Sequence, residues 1–133
     1  MLNSSSIRLR TVVVDCPDVK KTAEFYQKLL GWEFTVQEPD WILMRDPQGG
    51  TGLSFQQEED YHPPVWPEQP GKPTKMLHLD FAVSDLEEAV QHALDCGAVL
   101  APTQFLEGVR VFFDPAGHPF CLFSDPSVFA ENP

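Results

Sequence analysis

His78 and Asp80 are the residues best placed to do chemistry, two positions apart in the run His78-Leu79-Asp80-Phe81-Ala82-Val83. The run is β-rich, and strand alternation sends His78, Asp80 and Ala82 to one face and Leu79, Phe81 and Val83 to the other. An imidazole beside a carboxylate makes a general base, because the carboxylate raises its basicity and fixes its tautomer. Thr11-Val12-Val13-Val14-Asp15 is a similar run, with Thr11, Val13 and Asp15 on one face and Asp15 a second carboxylate for the imidazole. The same His/Asp pair also serves structure alone, bonded to each other or to water as buried polar groups commonly are.

The other reactive side chains carry less. His118 enters the last strand in Gly117-His118-Pro119-Phe120 and reads as a turn residue, His92 sits one position off an apolar helical stripe and reads as exposed, and His62 lies in a proline-rich stretch. Cys16, Cys96 and Cys121 are odd in number and lack CxxC spacing, so they read as reduced, buried thiols rather than a disulfide framework or zinc knuckle. Gly49-Gly50-Thr51-Gly52 lacks the Lys-Ser/Thr of a phosphate-binding loop and opens a strand. No serine has a nucleophile-elbow context, and no cationic residue near Cys121 in sequence lowers its pKa. Covalent catalysis is not indicated.

These residues must be positioned by a repeat. Thr11–Asp18 matches His78–Asp85 at an offset of about 67 residues, each a β-rich run ending on a helix-capping aspartate. Helical periodicity follows, with Val19, Ala23, Tyr26 and Leu30 in the first copy and Leu86, Ala89, Val90, Ala93 and Leu94 in the second. Gly31 and Gly97 stand where a left-handed C-cap is needed. Asp46-Pro47-Gln48-Gly49 and Asp114-Pro115-Ala116-Gly117 then have the chemistry of tight turns between strands. Each copy reads as strand, helix, three strands.

Between the copies, the segment Gln57–Thr74 holds five of the 13 prolines and is neither helix nor central strand. It reads as a semi-rigid extended crossover, with Tyr61, His62 and Trp66 available for a lid or a dimer contact. Hydrophobic content of 42% and 10 Phe in 133 residues fit one compact domain and argue against disorder. The net charge of −11 disfavours nucleic acid and anionic membranes as partners. The first residues lack the basic and apolar regions of a secretory signal, so a cytoplasmic location is expected.

The run Ala23-Glu24-Phe25-Tyr26-Gln27-Lys28-Leu29-Leu30-Gly31-Trp32, the strand His78–Asp85 and the segment Asp114-Pro115-Ala116-Gly117-His118-Pro119-Phe120 carry a resemblance. Over residues 7 to 125, roughly, the chain resembles the glyoxalase / bleomycin resistance / dioxygenase superfamily, also called vicinal oxygen chelate proteins, and within it the glyoxalase-like domain subgroup. The resemblance implies an α+β fold: two tandem βαβββ modules forming a cup-shaped, pseudo-two-fold sheet with helices outside. It gives one domain over residues 7–126, with module one at 7–57, the Pro-rich crossover at 58–74 and module two at 75–126.

Metal-using members of that superfamily take ligands, usually His, Glu or Gln, from the first and last strands of each module, and the cation binds vicinal oxygens of the substrate. The resemblance carries these positions to Thr11, His78 and Cys121; in the first module an extra glycine leaves the fourth between Leu53 and Ser54. Only His78 is a strong ligand, whereas catalytic zinc wants three and magnesium or manganese want carboxylates. The usual metal site therefore reads as dismantled and no cofactor is expected. The alternative is a divalent metal on His78, Asp80 and Gln56, which a one-residue slip of register at Gln56 would undo.

Most aromatics, including Trp32, Phe34, Phe105, Phe120 and Phe123, are assigned to the core, and Trp41 and Phe112 on middle strands to the pocket. The expected ligand-binding set is Thr11, Asp15, Trp41, Ser54, Gln56, Trp66, His78, Asp80, Phe112 and Cys121. The favoured function is metal-free binding of a small aromatic or cationic molecule in the cup between the modules, as in the superfamily's antibiotic-resistance members. The alternative is a lyase, isomerase or dioxygenase on a small oxygenated substrate, metal-assisted or using His78 and Asp80 as acid and base. A vestigial pocket in an assembly domain is the third reading. A homodimer is expected, through edge strands and the crossover.

Overall fold

The computed structural model describes residues 6–129. The chain divides into two compact units, Met1–Tyr61 and His62–Pro133. The first contains β1 (Thr11–Cys16), α1 (Val19–Leu30), β2 (Phe34–Glu38), β3 (Trp41–Met44) and β4 (Gly52–Gln57). The second contains β5 (Leu79–Val83), α2 (Leu86–Cys96), β6 (Val99–Leu100), β7 (Val109–Phe113), β8 (Pro119–Ser124) and a short 3-10 helix, Pro126–Phe129.

Both units have one topology. The sheet orders are β1-β4-β3-β2 and β5-β8-β7-β6, with the first strand parallel to the last and the other pairs antiparallel. In each, the helix carries the chain from the first strand back to the sheet. Asp18 Oδ1 accepts from the Lys21 amide at 3.1 Å and Asp85 Oδ1 from the Glu88 amide at 3.0 Å, satisfying donors that a helix start leaves orphaned. Gly31 and Gly97 close the helices at φ 72° and 108°, a left-handed backbone that favours glycine.

The apolar stripe of α1 buries Val19, Ala23, Phe25 and Tyr26, and Tyr26 stacks on Phe55 of β4 with centroids 5.6 Å apart. The stripe of α2 is narrower than its sequence suggests. Ala93 is fully buried but Leu94 is 39% exposed, because it falls at the margin of the face that meets the sheet. The core of the second unit is aromatic: Phe112 of β7 stacks on Phe120 of β8 at 5.5 Å, and Phe81 of β5 meets Phe120 edge-on at 6.0 Å.

Two expectations need correction. The crossover is not an extended spacer: the Val65 amide donates to the Pro73 carbonyl at 2.8 Å and the Lys72 amide to Gln69 at 3.2 Å, folding this stretch into a closed loop within the second unit. Glu68 accepts from Lys75 Nζ at 2.6 Å, and that bond holds the Glu68 carboxyl below its ordinary value. The thiols also differ from one another. Cys16 is buried, whereas Cys96 and Cys121 are half-buried.

In the first unit β4 lies between β1 and β3, and Gly52 marks a close approach. A Cβ there would stand 2.5 Å from the Met44 carbonyl oxygen of β3, so the backbone must move to admit one. Gly52→Ala is expected to destabilise the protein by about 1–3 kcal/mol through this overpacking, read as a lower urea midpoint at unchanged slope. No described helix is long and apolar enough to cross a membrane.

Candidate functional site

Register assembles the site of the second unit. Parallel pairing sets Asp80 of β5 against Cys121 of β8, and antiparallel pairing sets Val111 of β7 against Cys121 and Val109 against Phe123. Because side chains alternate, Val109, Val111, Cys121 and Phe123 share the face that carries Asp80, while Phe112, Phe120 and Leu122 face the core. His78, just before β5, stands two residues from Asp80 on the same side. Its Nε2 is 3.0 Å from Asp80 Oδ1, with side-chain exposures of 37% and 55%. The ligating atoms of His78, Asp80 and Cys121 all lie within 4.8 Å of one another.

This face floors a cavity of about 510 Å³. Its apolar lining includes Val109, Val111 and Phe123 from the sheet and Phe105 and Leu106 from the β6–β7 connection, and the proline-rich loop adds Trp66. Trp66 meets Phe105 edge-on at 5.6 Å and Phe113 at 6.4 Å, so the loop's aromatic ring is held against the sheet by two others. Lys75, His78, Asp80 and Cys121 bring the polar groups.

Burial, and then the neighbouring Asp80 carboxylate, push the Cys121 thiol up to about 11. A thiol so raised is neutral at pH 7 and is no nucleophile there. Its alkylation by iodoacetamide is expected to accelerate about tenfold per pH unit from pH 7 until near its pKa. Peptide mapping of the labelled protein checks this, and a rate levelling off near pH 8 would refute it.

In the first unit the register question is decided by pairing. Val13 stands opposite Ser54 as Asp80 stands opposite Cys121, so the last-strand position is Ser54 and not Leu53. Thr11 Oγ1 and the fully buried Ser54 Oγ are 2.7 Å apart and hydrogen-bonded. Two hydroxyls that satisfy each other supply neither the imidazoles nor the carboxylates a divalent cation needs. The residues present therefore do not fit the four-position metal site of the superfamily.

The structure divides the expected ligand-binding set. His78, Asp80, Cys121 and Trp66 line one cavity. Thr11 and Ser54 pair with each other, Asp15 and Trp41 are each register partners of Gln56, and Gln56 Nε2 donates to Glu58 Oε1 at 3.0 Å. Phe112 is corrected: it is fully buried against Phe120, because the odd-numbered residues of β7 take the cavity face. Phe105 and Phe123, assigned to the core by sequence, instead line the cavity, Phe105 with 70% of its surface exposed. Val109, Val111 and Phe123 were within reach of alternation counted from Cys121. Nothing periodic marks Phe105, Leu106 or Lys75. His118 is a turn residue: the buried Asp114 carboxylate accepts from the amides of Ala116 and His118 at 2.9 and 3.0 Å.

The paired βαβββ units with this site face define a protein of the glyoxalase/bleomycin resistance fold. The chain belongs to the glyoxalase-like domain family, whose profile matches residues 11–123. Solved structures agree. A glyoxalase/dioxygenase from Nostoc punctiforme is 21% identical with a TM-score of 0.68, covering 95% of this chain and 97% of its own. A glyoxalase/bleomycin resistance protein/dioxygenase family enzyme from Burkholderia phytofirmans PsJN is 19% identical at 0.67, with 89% and 98% covered. An antibiotic-binding protein from Streptomyces sp. CB03234 is also 19% identical, at 0.60, with 89% and 95% covered. At these identities the likeness is one of fold. No curated protein matches the chain at a significant level of sequence similarity.

Proposed function

We propose that this protein binds a small, planar, largely apolar molecule in the cavity of its second unit, with the His78–Asp80 pair engaging a hydrogen-bonding or cationic group on it. The observation that carries this reading is the roughly 510 Å³ cavity, walled by Trp66, Phe105 and aliphatic side chains, with its polar groups converging on His78, Asp80 and Cys121. Apolar walls with a few placed polar groups are the usual make-up of a small-molecule site. The net charge of −11 favours approach of a cation. The antibiotic-binding protein of the same fold supports a sequestering role. The working form is a homodimer acting on small molecules in the cytoplasm, and sedimentation of the purified chain tests the dimer.

Calorimetric titration with a panel of planar aromatic compounds, half of them cationic, tests the reading. Stoichiometric binding without turnover, weaker at high salt for the cations, is the expected result; no binding across the panel counts against it. One observation favours a second reading. The 3.0 Å contact of His78 Nε2 with Asp80 Oδ1 suits a proton-transferring lyase, isomerase or dioxygenase on a small oxygenated substrate. His78→Ala separates the two: it abolishes turnover in an enzyme, but shifts affinity by less than about tenfold in a sequestering protein, where apolar contacts dominate.

A further inference from the structure

Two of the three donors at the cavity floor, His78 and Cys121, stand at positions the superfamily uses, and Asp80 is a third donor outside that set. His78, Asp80 and Cys121 come from one sheet of one unit, and their ligating atoms lie within 4.8 Å of one another. Asp80 occupies a position whose counterpart in the first unit, by register, is Val13, so the repeat alone does not demand a polar residue there. The counterparts of His78 and Cys121, Thr11 and Ser54, are hydroxyls bonded to each other. The donor set is thus confined to the second unit.

We infer that His78, Asp80 and Cys121 form a binding site for a thiophilic divalent cation of the zinc type, held within the second unit alone. One imidazole nitrogen, one carboxylate oxygen and one sulfur are a mixed set that suits Zn²⁺ or Co²⁺ and gives Mg²⁺, Mn²⁺ or Ca²⁺ a single hard, charged ligand. Charge agrees: a carboxylate and a thiolate together balance a divalent ion. Three protein ligands leave a tetrahedral ion one open position, the arrangement of zinc sites that bind a further molecule. The inference goes beyond the small-molecule reading and does not depend on it.

Tag-free protein, demetallated and reduced, is titrated with Co²⁺ as the optical probe. The expected result is one equivalent of Co²⁺ bound with a thiolate-to-cobalt charge-transfer band and tetrahedral visible bands, displaced by Zn²⁺ and unaffected by excess Mg²⁺. Cys121→Ser removes the charge-transfer band, and Asp80→Asn weakens uptake at least about tenfold, a loss typical even of outer-shell changes. Cys96→Ser leaves both unchanged. It is the necessary control, because Cys96 Sγ lies 3.7 Å from His92 Nε2 on the exposed side of α2. Circular dichroism confirms that each variant is folded. Absence of a charge-transfer band at excess Co²⁺ overturns the inference, as does a band that survives in Cys121→Ser or vanishes in Cys96→Ser. An aromatic ligand that binds while the protein takes up no Co²⁺ sinks this inference alone, and Co²⁺ uptake with no ligand bound across the panel sinks the other alone.

Discussion

Phe112→Ala is expected to cost the second unit about 3–5 kcal/mol of stability, the range for deleting a fully buried ring from a packed core. The ring has no solvent exposure and lies opposite Phe120 in the β7–β8 register, stacked on it at 5.5 Å with planes 16° apart. Phe120 in turn takes the edge of Phe81 from β5, so the three rings tie three strands of the four-stranded sheet together on its helix side. Removing the Phe112 ring opens a void that rigid strands cannot close, and Phe120 loses its stacking partner. Domains of this size have roughly 5–15 kcal/mol in all, so the loss consumes much of the reserve. Urea unfolding followed by far-ultraviolet circular dichroism measures it, with Phe112→Leu as the milder companion. A loss under about 1 kcal/mol would show that the ring is not part of the core.

Trp66→Ala is expected to weaken binding of an aromatic ligand by about thirtyfold or more, the roughly 2 kcal/mol that a central interfacial tryptophan contributes. Trp66 is the one cavity wall supplied by the proline-rich loop, and Phe105 and Phe113 hold it in place at 5.6 and 6.4 Å. A ring held by two other rings loses little freedom when a ligand stacks on it, so its contact is nearly all gain. Trp66→Phe keeps an aromatic wall and is expected to retain most of the affinity. Calorimetry on both variants, with the best ligand from the panel, reads the difference. Equal affinity in wild type and Trp66→Ala would place the ligand elsewhere. The two predictions are separable because Phe112 sits on the helix side of β7 and Trp66 on the cavity side.

The fold was legible because the signals that specify it are local and occur twice. Capping aspartates Asp18 and Asp85, C-cap glycines Gly31 and Gly97, and the Asp-Pro turns each act within a few residues, so a linear reading finds them. The site was legible in part for the same reason. His78 and Asp80 are two apart along one extended run, and period-two alternation puts them on one face without knowledge of any other strand.

What required the tertiary structure was everything set by pairing across strands. Whether Cys121 stands beside Asp80, whether Ser54 or Leu53 faces Thr11, and which face of β7 meets the cavity all depend on register, where one residue inverts the outcome. Phe112 was misplaced on that account. Phe105 and Trp66 come from connections with no periodicity, and proline content predicted the stiffness of the loop but not its folding back through the Val65–Pro73 bond. By itself the sequence determined that two βαβββ units form and that His78 and Asp80 share a face, since caps, turns and alternation are properties of neighbouring residues. Only the tertiary structure decided that Cys121 joins them beneath an aromatic cavity, because that contact spans about forty residues and is made by hydrogen bonds between strands rather than by any pattern along one.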